Sequence, residues 1–104
     1  MKHNIPETIR VGAQDYKVVW ENCVVTRQQF GAACGSELTI TLDPSVPQTR
    51  LVQVLLHEIG ECMNNEYALG LDEHHLILLE VAWAQVFRDN PELLQSLKVL
   101  GGGE

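Results

Sequence analysis

The apolar residues of this chain change period near residue 47. Over residues 7–42 the alternation is close to two. Thr8-Ile9-Arg10-Val11 alternates, Gly12-Ala13-Gln14-Asp15 carries turn chemistry, and Tyr16-Lys17-Val18-Val19-Trp20 resumes the pattern. That succession predicts a β-hairpin. Residues 21–36 are ambiguous: Cys23-Val24-Val25 suits a strand extension, while Gly31-Ala32-Ala33-Cys34-Gly35-Ser36 reads as loop. Residues 37–42 predict a strand with Leu38, Ile40 and Leu42 on one face and Glu37, Thr39 and Thr41 on the other. Asp43-Pro44-Ser45-Val46-Pro47 stops it, because prolines interrupt a central ladder.

Beyond Pro47 the period becomes helical. Leu51, Leu55, Ile59, Cys62 and Met63 recur at spacings of three and four, which predicts a helix over 48–66 ending near Gly70. Pro47 suits its first turn, where a missing N–H costs nothing. Asp72 is the expected N-cap of a second helix with the apolar stripe Leu76, Leu79, Trp83 and Val86 or Phe87. Asn90-Pro91-Glu92 opens a short third helix over 91–98, and Gly101-Gly102-Gly103 reads as a flexible tail. The expected fold is α+β: a small antiparallel sheet packed on two antiparallel helices with a short C-terminal helix. Residues 1–100 are expected to form a single domain and 101–104 the tail.

Composition narrows the function classes. A net charge of −7 argues against nucleic acid as a partner, since phosphate binding needs a basic face. No stretch approaches the roughly 20 apolar residues of a membrane span, and no secretory leader is visible. The three cysteines, at 23, 34 and 62, form no CxxC pair, and their odd number suits reduced, buried thiols in a cytoplasmic protein. Trp20 and Trp83 read as core aromatics.

One pentapeptide carries chemistry: His57-Glu58-Ile59-Gly60-Glu61. His57 and Glu61 are four apart and project from one helix face, so an imidazole nitrogen and a carboxylate can reach one ion at about 2.0–2.2 Å. Glu58 is rotated about 100° from His57, the position that serves as general base in H-E-x-x-H helices. Gly60 leaves space between the two ligands and implies a close neighbour, since it costs on the order of 1 kcal/mol inside a helix. The preceding Val54-Leu55-Leu56 makes the ligand pair partly dry. A further ligand is available in His74-His75 at the start of the second helix, which a short turn folds back against the first. Three protein ligands and an open position are what a catalytic Zn2+ requires. The bland alternative is a polar pair on a solvated face and a surface cluster around Asp72 and Glu73. Cys62, five residues after His57, lies off its face and is a poor nucleophile candidate. His3 lies near the N-terminus and is a poor fourth ligand.

Residues 37–97 resemble small phage-encoded zincin-like metallopeptidases, distantly related to the ImmA/IrrE peptidases. The resemblance is carried by Leu38-Thr39-Ile40-Thr41-Leu42-Asp43, by Leu55-Leu56-His57-Glu58-Ile59, by the polar cluster opening the second helix, and by residues 85–94 from Gln85-Val86-Phe87 to Glu92-Leu93-Leu94. It implies a sheet whose edge strand, here 37–42, holds an extended peptide or protein substrate above the motif helix. It implies His57 as a Zn2+ ligand, Glu58 as the catalytic general base, and a third ligand at the start of the second helix. His74 fits that place best, eleven residues before Gln85, with His75 as the alternative because it shares a face with Leu79, Ala82 and Val86. The chain departs from the pattern at Glu61, where the family usually carries His, which makes this an HExxE variant. A carboxylate is a legitimate Zn2+ ligand but acidifies bound water less than a neutral one. Two functions follow as expectations: a zinc-dependent peptidase of phage or prophage type, or a non-catalytic phage accessory protein with a structural or vestigial metal site and a partner-binding sheet edge. The sequence leaves the oligomeric state open.

Overall fold

The computed structural model describes residues 5–22 and 31–102, with the backbone alone for 99–102. Cys23-Val24-Val25 lies outside the described residues. Four strands and three helices follow in the order β1 (Thr8–Val11), β2 (Gln14–Trp20), β3 (Gly31–Cys34), β4 (Thr39–Leu42), α1 (Gln48–Tyr67), α2 (Glu73–Asp89) and α3 (Leu93–Gly102). The architecture is α+β.

β1 and β2 form the predicted hairpin, with Val11 opposite Gln14 and Ile9 opposite Tyr16. The turn is shorter than expected, because Gly12 at φ 60° lets two residues close it. The sheet order is β1-β2-β4-β3. β4 pairs antiparallel with β3 but parallel with β2, so the sheet is mixed and not antiparallel throughout. A period of two identifies a strand without fixing its direction relative to a neighbour that is distant in the chain. Two further expectations are corrected. Residues 31–34, read as loop, form edge strand β3, and the strand expected over 37–42 is the inner strand β4. β4 begins only at Thr39 because Leu38, at φ 55°, adopts a left-handed backbone that a strand cannot continue.

The core lies between the sheet and α1. Tyr16, Val18, Ile40 and Leu42 meet Leu51, Val54 and Cys62, with Val11 and Val46 completing the cluster. Tyr16 is fully buried and its hydroxyl donates to Glu66 Oε2 at 2.6 Å, so the phenol brings its own polar partner into the core. Burial and that bond push its pKa up to about 12. Among the described cysteines, Cys62 is buried and Cys34 half-buried, and both are free thiols.

α1 begins after Pro47 and ends at Ala68, whose left-handed backbone (φ 51°) turns the chain. Asn64 then fixes the connection to α2: its Nδ2 donates to Leu71 O at 2.8 Å and its Oδ1 accepts from Leu71 N at 2.9 Å. Asp72 caps α2 by accepting from His75 N at 2.9 Å. These bonds set the phase with which α2 lies along α1. α2 packs on α1 and not on the sheet, giving three layers. Of its expected apolar stripe only Leu76 is buried; Leu79 and Trp83 are 42% and 46% exposed. Trp83 is therefore no core residue, although it stacks on Phe87 with ring centroids 5.5 Å apart. The reason is topological: α1 occupies the middle layer, so among the described residues α2 is covered on the α1 side alone. α3 runs through Gly102, and so takes in two glycines of the expected tail. Among the described residues no helix is long and apolar enough to cross a membrane.

Candidate metal centre

The middle position of α1 gives it two working faces. Leu51, Val54, Glu58 and Cys62 are buried on the sheet side. Gln53, His57, Gly60 and Asn64 lie at spacings of three and four on the side that meets α2. A cleft of about 660 Å³ opens between β3, α1 and α2. Gly31 to Ala33 form one wall, Arg50, Val54, His57, Glu58 and Glu61 the floor, and Glu73, Ile77 and Glu80 the other wall.

Three glutamates approach His57. Its Nε2 lies 3.3 Å from Glu61 Oε2 and 3.1 Å from Glu73 Oε2. Its Nδ1 lies 2.5 Å from Glu80 Oε1. That approach is close but not aligned as a hydrogen bond, which leaves Nδ1 a buried nitrogen with a carboxylate as its neighbour. Glu58 points the other way, towards the sheet, and is only 6% exposed. Gly31 makes room for it: a Cβ there would stand 3.1 Å from both Glu58 Cγ and Oε2.

The electrostatics follow from this crowding. Burial draws the His57 pKa down, but the carboxylates of Glu58, Glu80 and Glu73 outweigh it and hold the imidazole above its ordinary value. Glu58 is pushed up to about 7 by burial first, opposed by His57 and reinforced by Glu61, Glu73 and Glu80. Glu61 rises through burial and through a hydrogen bond shared with Glu73.

These residues suit a divalent cation. His57, Glu61 and Glu73 each offer one ligand atom, and the three atoms lie within 4.8 Å of one another. Ligand bonds of about 2.1 Å in tetrahedral geometry separate donors by roughly 3.4 Å, close to the 3.3 and 3.1 Å between His57 and its two partners. The three groups lie in the cleft, which is open to solvent between β3 and α2.

The structure brings together His57, Glu58 and Glu61, but not His74 or His75. Both histidines are exposed, with ring centroids 6.0 Å apart, and His75 Nδ1 pairs with Asp72 Oδ1 at 2.8 Å beside the cap. The side chain that α2 delivers is Glu73, one residue before His74. A rotation of about 100° per residue separates the two directions, and the Asp72 cap fixes which one faces α1. The motif reading passed over Glu73 as part of a surface cluster and did not single out Glu80. Their seven-residue spacing, two turns on one face with Leu76 between, was the available signal.

Comparison with known proteins adds no relative: no family model matches the chain, and no curated protein or solved structure matches it.

Proposed function

We propose that the chain is a minimal zinc-dependent peptidase of the phage zincin-like type, with His57, Glu61 and Glu73 as cation ligands and Glu58 as general base. One observation carries the reading: an imidazole nitrogen and two carboxylates converge within 4.8 Å, beside a buried carboxyl pushed up to about 7. The ligand from α2 is then Glu73, in place of His74 or His75. When bound, the cation supplies Lewis acidity, acidifying a water and polarising a carbonyl. Glu58, the buried carboxyl next to the ligand His57, takes a proton from the attacking water and passes it to the leaving amine. The substrate lies extended against β3. Among the described residues no strand pairs with the outer side of β3, and its small residues Gly31, Ala32 and Ala33 line the cleft.

A second reading has its own support in the donor set. Two carboxylates place more negative charge on the ion than two imidazoles would, so a bound water is less acidified. The chain is then a non-catalytic accessory protein that keeps a cation for structure and uses the β3 edge to hold a partner.

Elemental analysis of untagged protein, with cleavage of a mixed peptide library, separates the readings. We expect stoichiometric zinc in the wild type and in Glu58→Gln, none in His57→Ala, and cleavage by the wild type alone. Zinc without cleavage selects the second reading. A wild type that holds no divalent cation after loading sinks both.

A further inference from the structure

Each nitrogen of His57 faces a different carboxylate. Nε2 faces the Glu61 and Glu73 pair, and Nδ1 faces Glu80. Glu80 lies deep in the cleft, with a side chain only 13% exposed against 14% for His57. Its second oxygen is also engaged: Gln53 Nε2 donates to Glu80 Oε2 at 2.9 Å. Gln53 stands one turn before His57 on the same face of α1. α1 thus holds Glu80 from one side and presents His57 to it on the other.

We infer that Glu80 is a positioning residue for the cation site, held by Gln53 and acting through His57. The inference rests on the cation reading given above. Its physical basis is the imidazole's single proton. A neutral ring carries that proton on one nitrogen and offers a lone pair on the other. The carboxylate charge 2.5 Å from Nδ1 favours the proton on that nitrogen even though the contact is not aligned as a hydrogen bond, so Nε2 is left as a lone pair on the side of Glu61 and Glu73. The carboxylate also fixes the ring plane and makes Nε2 a better donor to a cation. Without Glu80 both tautomers and more than one ring orientation become accessible, and binding has to select among them. Glu80 is not one of the three groups that converge as cation ligands. Gln53 acts one step further back by keeping the Glu80 carboxylate turned towards the ring.

The test is zinc affinity, measured by competition with a chromogenic chelator at fixed pH. The variants are E80A, E80Q, Q53A and the double variant Q53A/E80A. E80A is expected to weaken zinc binding ~10–100-fold, the range typical for removal of a carboxylate behind a ligating histidine. E80Q keeps an oxygen beside Nδ1 and is expected to recover a large part of that loss. Q53A is expected to weaken binding by less than E80A, and to have no further effect once Glu80 is gone. A direct spectroscopic readout accompanies these values. In the zinc-loaded wild type the His57 Nδ1 proton is protected from exchange and visible by NMR; in E80A it exchanges rapidly. Zinc affinity in folded E80A within about twofold of wild type overturns the proposal, since a carboxylate behind a ligating histidine is worth far more than that. So does a Q53A effect of equal size with and without Glu80. Should E80A fail to fold, E80Q and Q53A still decide the matter, because E80Q keeps the size of the side chain, Q53A leaves Glu80 itself in place, and the NMR signal reads the same proton in both. A wild type that binds no zinc overturns this proposal together with the cation reading. A wild type that binds zinc, with variants that bind it equally well, overturns the role of Glu80 alone.

Discussion

Burying the Glu58 carboxyl raises its proton affinity, and the direction of that shift sets a pH dependence for the metal-free protein. The folded protein holds this proton up to about 7, against an ordinary value of 4.5. The unfolded chain releases it near the ordinary value. Between those two limits the unfolded state therefore gains from ionising before the folded state does, so this group lowers stability progressively across that window and fully above it. Glu58→Gln removes the titration while keeping the shape. Urea unfolding in a chelator is expected to show the variant more stable than the wild type by ~1–3 kcal/mol at pH 8, the gap closing as the pH falls towards 4. Equal stabilities at pH 8 would mean that the carboxyl is not held out of water. A carboxyl kept out of water at a stability cost of that order is the kind of trade found at functional positions.

At the level of elements, α1 carries most of the site because it has the sheet on one side and α2 on the other. Gly60 illustrates how loosely a single residue can constrain that packing. The sequence implies that this glycine makes room for a neighbour, and the neighbour is Leu76 of α2. A Cβ at Gly60 would stand 3.4 Å from Leu76 Cδ2, which is ordinary contact. Helix propensity then decides the outcome. Gly60→Ala is expected to raise stability by about 0.5–1 kcal/mol and leave zinc affinity unchanged, as measured by chemical denaturation and chelator competition. A loss of stability would show that α2 cannot shift by the few tenths of an ångström a methyl group asks for. Gly31 is the contrasting case. A Cβ there would meet Val54 Cγ1 at 3.0 Å and Glu58 at 3.1 Å, so this glycine is what allows β3 to approach the Glu58 carboxyl.

Across the whole molecule, the candidate ligands come from two layers, and the outer one buries little of its own apolar surface. His57 and Glu61 belong to α1 and Glu73 to α2, while Leu76 is the only buried residue of α2. Ile77, Leu78, Leu79, Val81 and Trp83 are all more than two-fifths exposed. A cation shared by the two helices would add to their docking what the apolar contacts do not supply. Zinc at about 100 times its dissociation constant stabilises the folded state by ~2.7 kcal/mol, which for a chain of this size raises the melting temperature by on the order of 10 °C. Thermal scans with zinc and with a chelator are expected to differ by that amount for the wild type and to coincide for His57→Ala. Coincident wild-type scans would exclude a site that spans the two helices.

Local patterning determined a good deal by itself. The hairpin of β1 and β2, the start of α1 after Pro47, the Asp72 cap of α2 and the motif helix carrying His57, Glu58 and Glu61 all follow from contacts within a few residues of one another. Periodicity, turn chemistry and capping are local, so the chain spells them out. What only the tertiary structure decided depends on elements meeting across distance. The parallel pairing of β4 with β2, the edge position of Gly31–Cys34, and the exposure of Trp83 depend on which layers cover which faces. The delivery of Glu73 and Glu80 to His57, with His74 and His75 left outside, depends on the angle at which α2 docks. One residue of helix phase, about 100° of rotation, is enough to exchange a histidine for a carboxylate at the third position, and that phase is set by how Asn64, Leu71 and Asp72 turn the chain, not by the residue types that open the helix.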